Sequence, residues 1–75
     1  MRGNNFGKRV LVMRKSVGIS QRDLADLVGI TEGMLSRIED EDISVDFEVM
    51  KKLAFVLRCD LSWLIFGDET EIVHR

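Results

Sequence analysis

Apolar residues along this chain fall in short groups with helical spacing, and each group is entered through a residue able to cap a helix. Phe6, Val10, Met13 and Val17 recur at intervals of four, three and four, the spacing of one buried helical stripe. Asn4 or Asn5 can cap that first helix, and Gly18 ends it after about Val17. Leu11 and Val12 fall off the stripe; they are either covered by the tail of the chain or open to a second subunit. Ser20 starts a second helix, with Asp23 three residues on and Ile19 and Leu24 at the positions of a hydrophobic staple. Thr31 repeats the device between Ile30 and Leu35, and Asp46 repeats it between Val45 and Met50. The spacing then predicts a helix over Phe47 to Leu57 that buries Met50, Leu53, Ala54 and Leu57. Asp60 caps a last short helix through about Phe66, closed by Gly67. No stretch alternates with period two and the chain has no proline, so the fold class expected is all-α.

The second and third helices form the centre of the pattern, QRDLADLVGITEGMLSRIE over residues 21–39. Leu24, Ala25 and Val28 give one apolar face, and Leu35 and Ile38 give another. Between them Gly29 reaches a positive φ at low cost, so the chain can reverse there, with Ile30 as an apolar plug and Ala25 as the small residue where backbones approach. With Leu35 and Ile38 turned inward, the third helix offers Glu32, Gly33, Ser36 and Arg37 outward. This is the residue logic of a helix-turn-helix.

Such a helix fits the major groove of double-stranded DNA, with residues near its N-terminus reaching base edges. Arg37 is the leading candidate for base reading, because its planar fork matches the O6 and N7 acceptors of guanine. That bidentate contact discriminates by about 1–3 kcal/mol. Glu32 either accepts from cytosine N4 or serves the helix dipole at the first turn. Gly33 within a helix costs about 0.5–1 kcal/mol relative to Ala, so it marks either a close backbone approach or a tolerated substitution. Gln21, Arg22 and Thr31, at the starts of their helices, are the candidates for phosphate contact; simple solvent exposure is the alternative. Arg14 and Glu39 face the region between the first helix and the end of the third. Their pairing is expected to leave a guanidinium edge free for DNA.

The chain resembles the repressor/Cro-type (XRE-like) helix-turn-helix regulators of phages and bacteria. The matching residues are Gly7, Val10 and Arg14, then Gly18-Ile19-Ser20-Gln21, Leu24-Ala25, Val28-Gly29-Ile30, Ser36 and Ile38-Glu39. Leu53-Ala54, Leu57 and Leu61-Ser62-Trp63-Leu64 complete a match over about residues 6–67. The resemblance implies a five-helix lambda-repressor-like domain and a homodimer on a two-fold operator. It also implies Gln21 on phosphate, base reading by Glu32, Gly33, Ser36 and Arg37, and a salt bridge between Arg14 and Glu39. One stretch departs from the pattern: where the family usually has a glycine and basic residues after Glu39, this chain has Asp40-Glu41-Asp42. Carboxylates beside a polyanion weaken binding unless they point away.

Composition narrows the rest. Seventy-five residues make one domain, and 45% apolar content with a mean hydropathy of +0.01 suffices for a core. The net charge of −2 divides unevenly, +4 over residues 1–37 and −6 over residues 38–75, so one end can face phosphates while the other repels them. A lone cysteine rules out an intrachain disulfide, and no Cys/His spacing suggests a metal site. Cys59 has no base near it in sequence and is read as a small packing residue, and His74 stands alone, so catalysis is not expected. No cofactor or small-molecule ligand is expected either. The N-terminus lacks an apolar signal, and Leu61 to Phe66 is too short to cross a membrane, so a cytoplasmic protein is expected. Phe55, Ile65 and Phe66 are candidates for the dimer contact, with Ile72 and Val73 of the polar tail, residues 68–75, as a short strand or a frayed end; for each, core or ordinary surface packing is the alternative. The leading expectation is a sequence-specific repressor. The alternative is a protein-interaction module on the same scaffold, such as an antitoxin.

Overall fold

The computed structural model describes residues 5–67, which form α1 (Phe6–Val17), α2 (Gln21–Val28), α3 (Glu32–Glu39), α4 (Phe47–Leu57) and α5 (Leu61–Phe66). Four of the five starts are made by the expected local side chains. Ser20, Thr31, Asp46 and Asp60 accept from the backbone N–H three residues on, at 3.0, 3.0, 3.0 and 2.9 Å. Each satisfies one of the donors that a helix N-terminus otherwise leaves open.

The first helix begins differently. Asn5 occupies the N-cap position in a left-handed conformation, φ 65°, and makes no side-chain cap. The carboxylate of Glu41 takes that role, its Oε2 accepting from the Lys8 N–H at 3.1 Å across 33 residues of sequence. The acidic turn after α3 therefore reaches back to the positive end of α1.

Phe6, Val10, Leu24, Ala25, Val28, Leu35, Ile38, Leu53, Ala54, Leu57 and Leu64 make the buried core. Every helix contributes to it, with α1 lying against α3, α4 and α5 and α2 against α3 and α4. Gly7 is what lets α1 come so near: a Cβ there would land on the backbone carbonyl of Ile38 at the end of α3. Gly29, at φ 89°, makes the reversal between α2 and α3, its N–H and that of Ile30 both donating to the Ala25 carbonyl.

The predicted stripe on α1 holds only through its first two turns. Phe6 and Val10 are buried and Met13 is half-buried, but Val17 is exposed. Val17 occupies the last helical position before Gly18, where nothing packs over it. On α4, Met50 is half-buried rather than buried, since it borders the open groove between the starts of α1 and α4. Leu11 is half-buried and Val12 exposed. The tail that was one possible cover for them, with Ile72 and Val73, lies outside the described residues.

Candidate nucleic-acid interface

The turn at Gly29 and the cap at Thr31 fix how α3 leaves the body, and Leu35 and Ile38 seat it. Glu32, Gly33 and Arg37 are then exposed along its outer side, and Ser36 is half-buried beside them. A Cβ on Gly33 would meet no atom of the chain, so nothing internal requires glycine at that position. Thr31 is exposed, and its Oγ1 accepts from the Met34 N–H, leaving the hydroxyl hydrogen able to donate outward. Arg22 is exposed on the first turn of α2.

Behind this face lies a buried charge cluster that ties three segments together. Glu39 is 7% exposed, and its carboxylate accepts from Arg14 Nε at 2.7 Å and Arg14 Nη2 at 3.1 Å, a bidentate pair between α1 and α3. Gln21 Nε2 on α2 donates to the same carboxylate at 2.9 Å. Arg14 Nη1 donates to the Ile19 carbonyl at 3.1 Å, in the connection between α1 and α2. The hydrogen bond to Glu39 and its charge hold the Arg14 guanidinium above its ordinary pKa against the opposing effect of burial. Little of the edge expected to remain free for DNA is open: Nε, Nη1 and Nη2 each have a protein partner, which leaves one hydrogen on each Nη, and the side chain is only 12% exposed. Gln21 is likewise half-buried with one Nε2 hydrogen donated to Glu39, which leaves its second amide hydrogen and its backbone N–H as the donors a phosphate would need.

Two further arginines differ from what composition suggests. Arg9 faces away from α3. Its Nε and Nη2 donate to the Leu64 and Ile65 carbonyls at 2.9 and 2.7 Å, binding the end of α5 to α1, and its guanidinium lies 6.0 Å from the centre of the Trp63 ring. Sequence reasoning gave Arg9 no such task, because its partners are 55 and 56 residues away. Arg37, on the outer face, has its Nε 3.4 Å from Asp42 Oδ2.

Of the residues assigned to a dimer contact, Phe55 is 85% and Phe66 53% exposed, whereas Ile65 packs partly against the core. Leu27 on α2, which the apolar pattern did not single out, is also exposed. Cys59 is half-buried, and burial together with the charge of Asp60 raises its thiol pKa, which suits packing rather than nucleophilic chemistry. Among the described residues, no three His, Cys, Asp or Glu side chains gather as a metal would require, and no helix is long and apolar enough to cross a membrane.

Residues 12–64 match the family model described as Helix-turn-helix, from the middle of α1 into α5. The chain belongs to the helix-turn-helix family. Within that family it is 33% identical over 64 residues to the HTH-type transcriptional regulator DicA of Escherichia coli strain K12, covering 85% of this chain and 47% of DicA. It is 38% identical over 56 residues to the HTH-type transcriptional regulator PuuR of the same organism, covering 75% of this chain and 30% of PuuR. The chain thus spans less than half the length of these relatives. Its fold matches that of the P22 c2 repressor solved in complex with a synthetic operator, with a TM-score of 0.80 and 28% identity over 84% of this chain and 96% of that one.

Proposed function

We propose that this helix-turn-helix protein is a sequence-specific DNA-binding transcriptional regulator that acts as a repressor by occupying an operator through α3. The observation that carries the proposal is the outer face of α3, where Glu32, Gly33 and Arg37 are exposed on a helix seated by Leu35 and Ile38. The likeness to the P22 c2 repressor, a protein solved on a synthetic operator, supports the same reading. In this reading α3 enters the major groove, Arg37 addresses a guanine, and Glu32, Gly33 and Ser36 read neighbouring base edges. The start of α2, with Arg22 and the backbone of Gln21, rests on phosphate together with Thr31. A single module of this size covers too little DNA for tight binding, so two copies on a palindromic site are proposed, joined through Phe55 and Phe66.

The test is selection of bound duplexes from a random DNA pool, followed by binding measurements on Arg37→Ala. A palindromic consensus with a fixed half-site spacing is expected. Arg37→Ala should then lose about 1–3 kcal/mol of preference for the selected site while scrambled DNA binds nearly as before. Equal losses on both duplexes would remove Arg37 from base reading, and no enrichment from the pool would overturn the DNA-binding assignment.

A further inference from the structure

We propose that Asp42 is a specificity-determining residue: it holds the Arg37 guanidinium by its Nε, so that the edge formed by the two Nη groups is the one presented to DNA. The inference rests on the reading of α3 as the DNA-reading helix. Asp42 Oδ2 lies 3.4 Å from Arg37 Nε, and both side chains are more than half exposed, at 64% and 61%. No surrounding packing therefore orients either side chain, and the ion pair joins each to the other.

What fixes Asp42 is the backbone. Its N–H donates to the carbonyl of Arg37 at 2.8 Å, and the Glu41 N–H donates to the carbonyl of Ile38 at 3.0 Å. Together these bonds close α3 in a Schellman arrangement with Glu41 in the left-handed position. The Cα of Asp42 is thus tied to the very residue its side chain holds, and the short aspartate side chain sweeps only a small arc beside Arg37.

A guanidinium offers one fork through Nε and another through its paired Nη groups, and a guanine contact occupies one of them. With Nε engaged by Asp42, the Nη fork is left for the base. The carboxylate also opposes phosphate. An unaccompanied arginine at a groove edge can settle on the backbone of any sequence, whereas one that carries a carboxylate beside it is disfavoured there by like-charge repulsion. Glu41 cannot act in the same way, because its carboxylate is turned to the Lys8 N–H at the start of α1.

The experiment uses the whole chain and the variants Asp42→Asn and Asp42→Ser, each checked for unchanged thermal unfolding, so that either can stand if the other is unstable. Dissociation constants are measured on a duplex selected by the parent chain and on a scrambled duplex, at about 50 and about 200 mM salt. The ratio of the scrambled to the selected dissociation constant should fall at least about fivefold, because scrambled DNA binds more tightly while the selected duplex gains nothing. In an Arg37→Ala background the same change should leave the ratio where it was. In the free protein, the Nε–H resonance of Arg37 should shift when Asp42 is replaced. An unchanged ratio, equal tightening on both duplexes, or the same change of ratio without Arg37 would each overturn the proposal while leaving DNA binding intact. Failure of the parent chain to select any duplex would overturn the DNA reading of α3 and this inference with it.

Discussion

Glu39 holds a carboxylate where only 7% of the residue's surface meets water, and its three hydrogen bonds make that placement tolerable. Removing one member of a buried ion pair leaves the other charge desolvated and alone, which costs far more than the intact pair contributes. Glu39→Ala should therefore lower the unfolding free energy by about 3–5 kcal/mol, read as a fall in the urea midpoint. A loss below about 1 kcal/mol would mean that water reaches Arg14 freely once the carboxylate is gone. The Arg14–Glu39 pair was legible through the residues this chain shares with its family. The direction of the Arg14 guanidinium was not, because only the folded loop brings the Ile19 carbonyl to Nη1. Arg9 shows the same limit, since its carbonyl partners are reached only after α5 has packed on α1.

Helix boundaries followed from the chain because four caps are local, each joining a side chain to an N–H three residues on. The start of α1 followed as well, with Asn5 at the N-cap position, but its capping group did not, because that carboxylate comes from a remote turn. Glu41 combines two opposed effects. A non-glycine residue at φ 62° costs about 1–2 kcal/mol, and a charged cap on a helix N-terminus returns about 0.5–2 kcal/mol. The two are comparable, so Glu41→Gly, which removes both, should leave the urea midpoint nearly unchanged. Glu41→Ala, which keeps the strain and loses the cap, should cost about 1 kcal/mol. If Ala and Gly behaved alike, the left-handed position would carry no strain worth counting. Val17 belongs to the same lesson: periodicity identifies a stripe, but only the neighbouring helices decide how far along it burial extends.

Over the whole molecule, the +4 balance of residues 1–37 overstates the basic surface. Arg9 and Arg14 are engaged inside the fold, and among the described basic residues of that half Lys8, Lys15, Arg22 and Arg37 remain exposed. The acidic turn is correspondingly less hostile to DNA than its composition suggests, with Glu41 set against α1 and Asp42 against Arg37. The proposed association of two copies also belongs to this scale. Phe55 is too exposed to support the monomer's core, so Phe55→Ser should leave thermal unfolding of the dilute chain within about 0.5 kcal/mol. The same substitution should shift sedimentation equilibrium toward monomer and weaken binding to a two-fold site. Self-association that survives the substitution would remove Phe55 from the proposed contact, and a parent chain that stays monomeric would overturn the dimer itself.

The bond from Glu41 to Lys8 also governs how the molecule breathes. Local openings in a small domain follow its cooperative units rather than its helix boundaries. The amino end of α1 and the bend behind α3 are expected to open as one such unit, because opening of that bend uncaps the helix. Hydrogen exchange at the Lys8 amide should therefore report on a bend more than thirty residues away, close beside the face of α3 proposed to meet DNA.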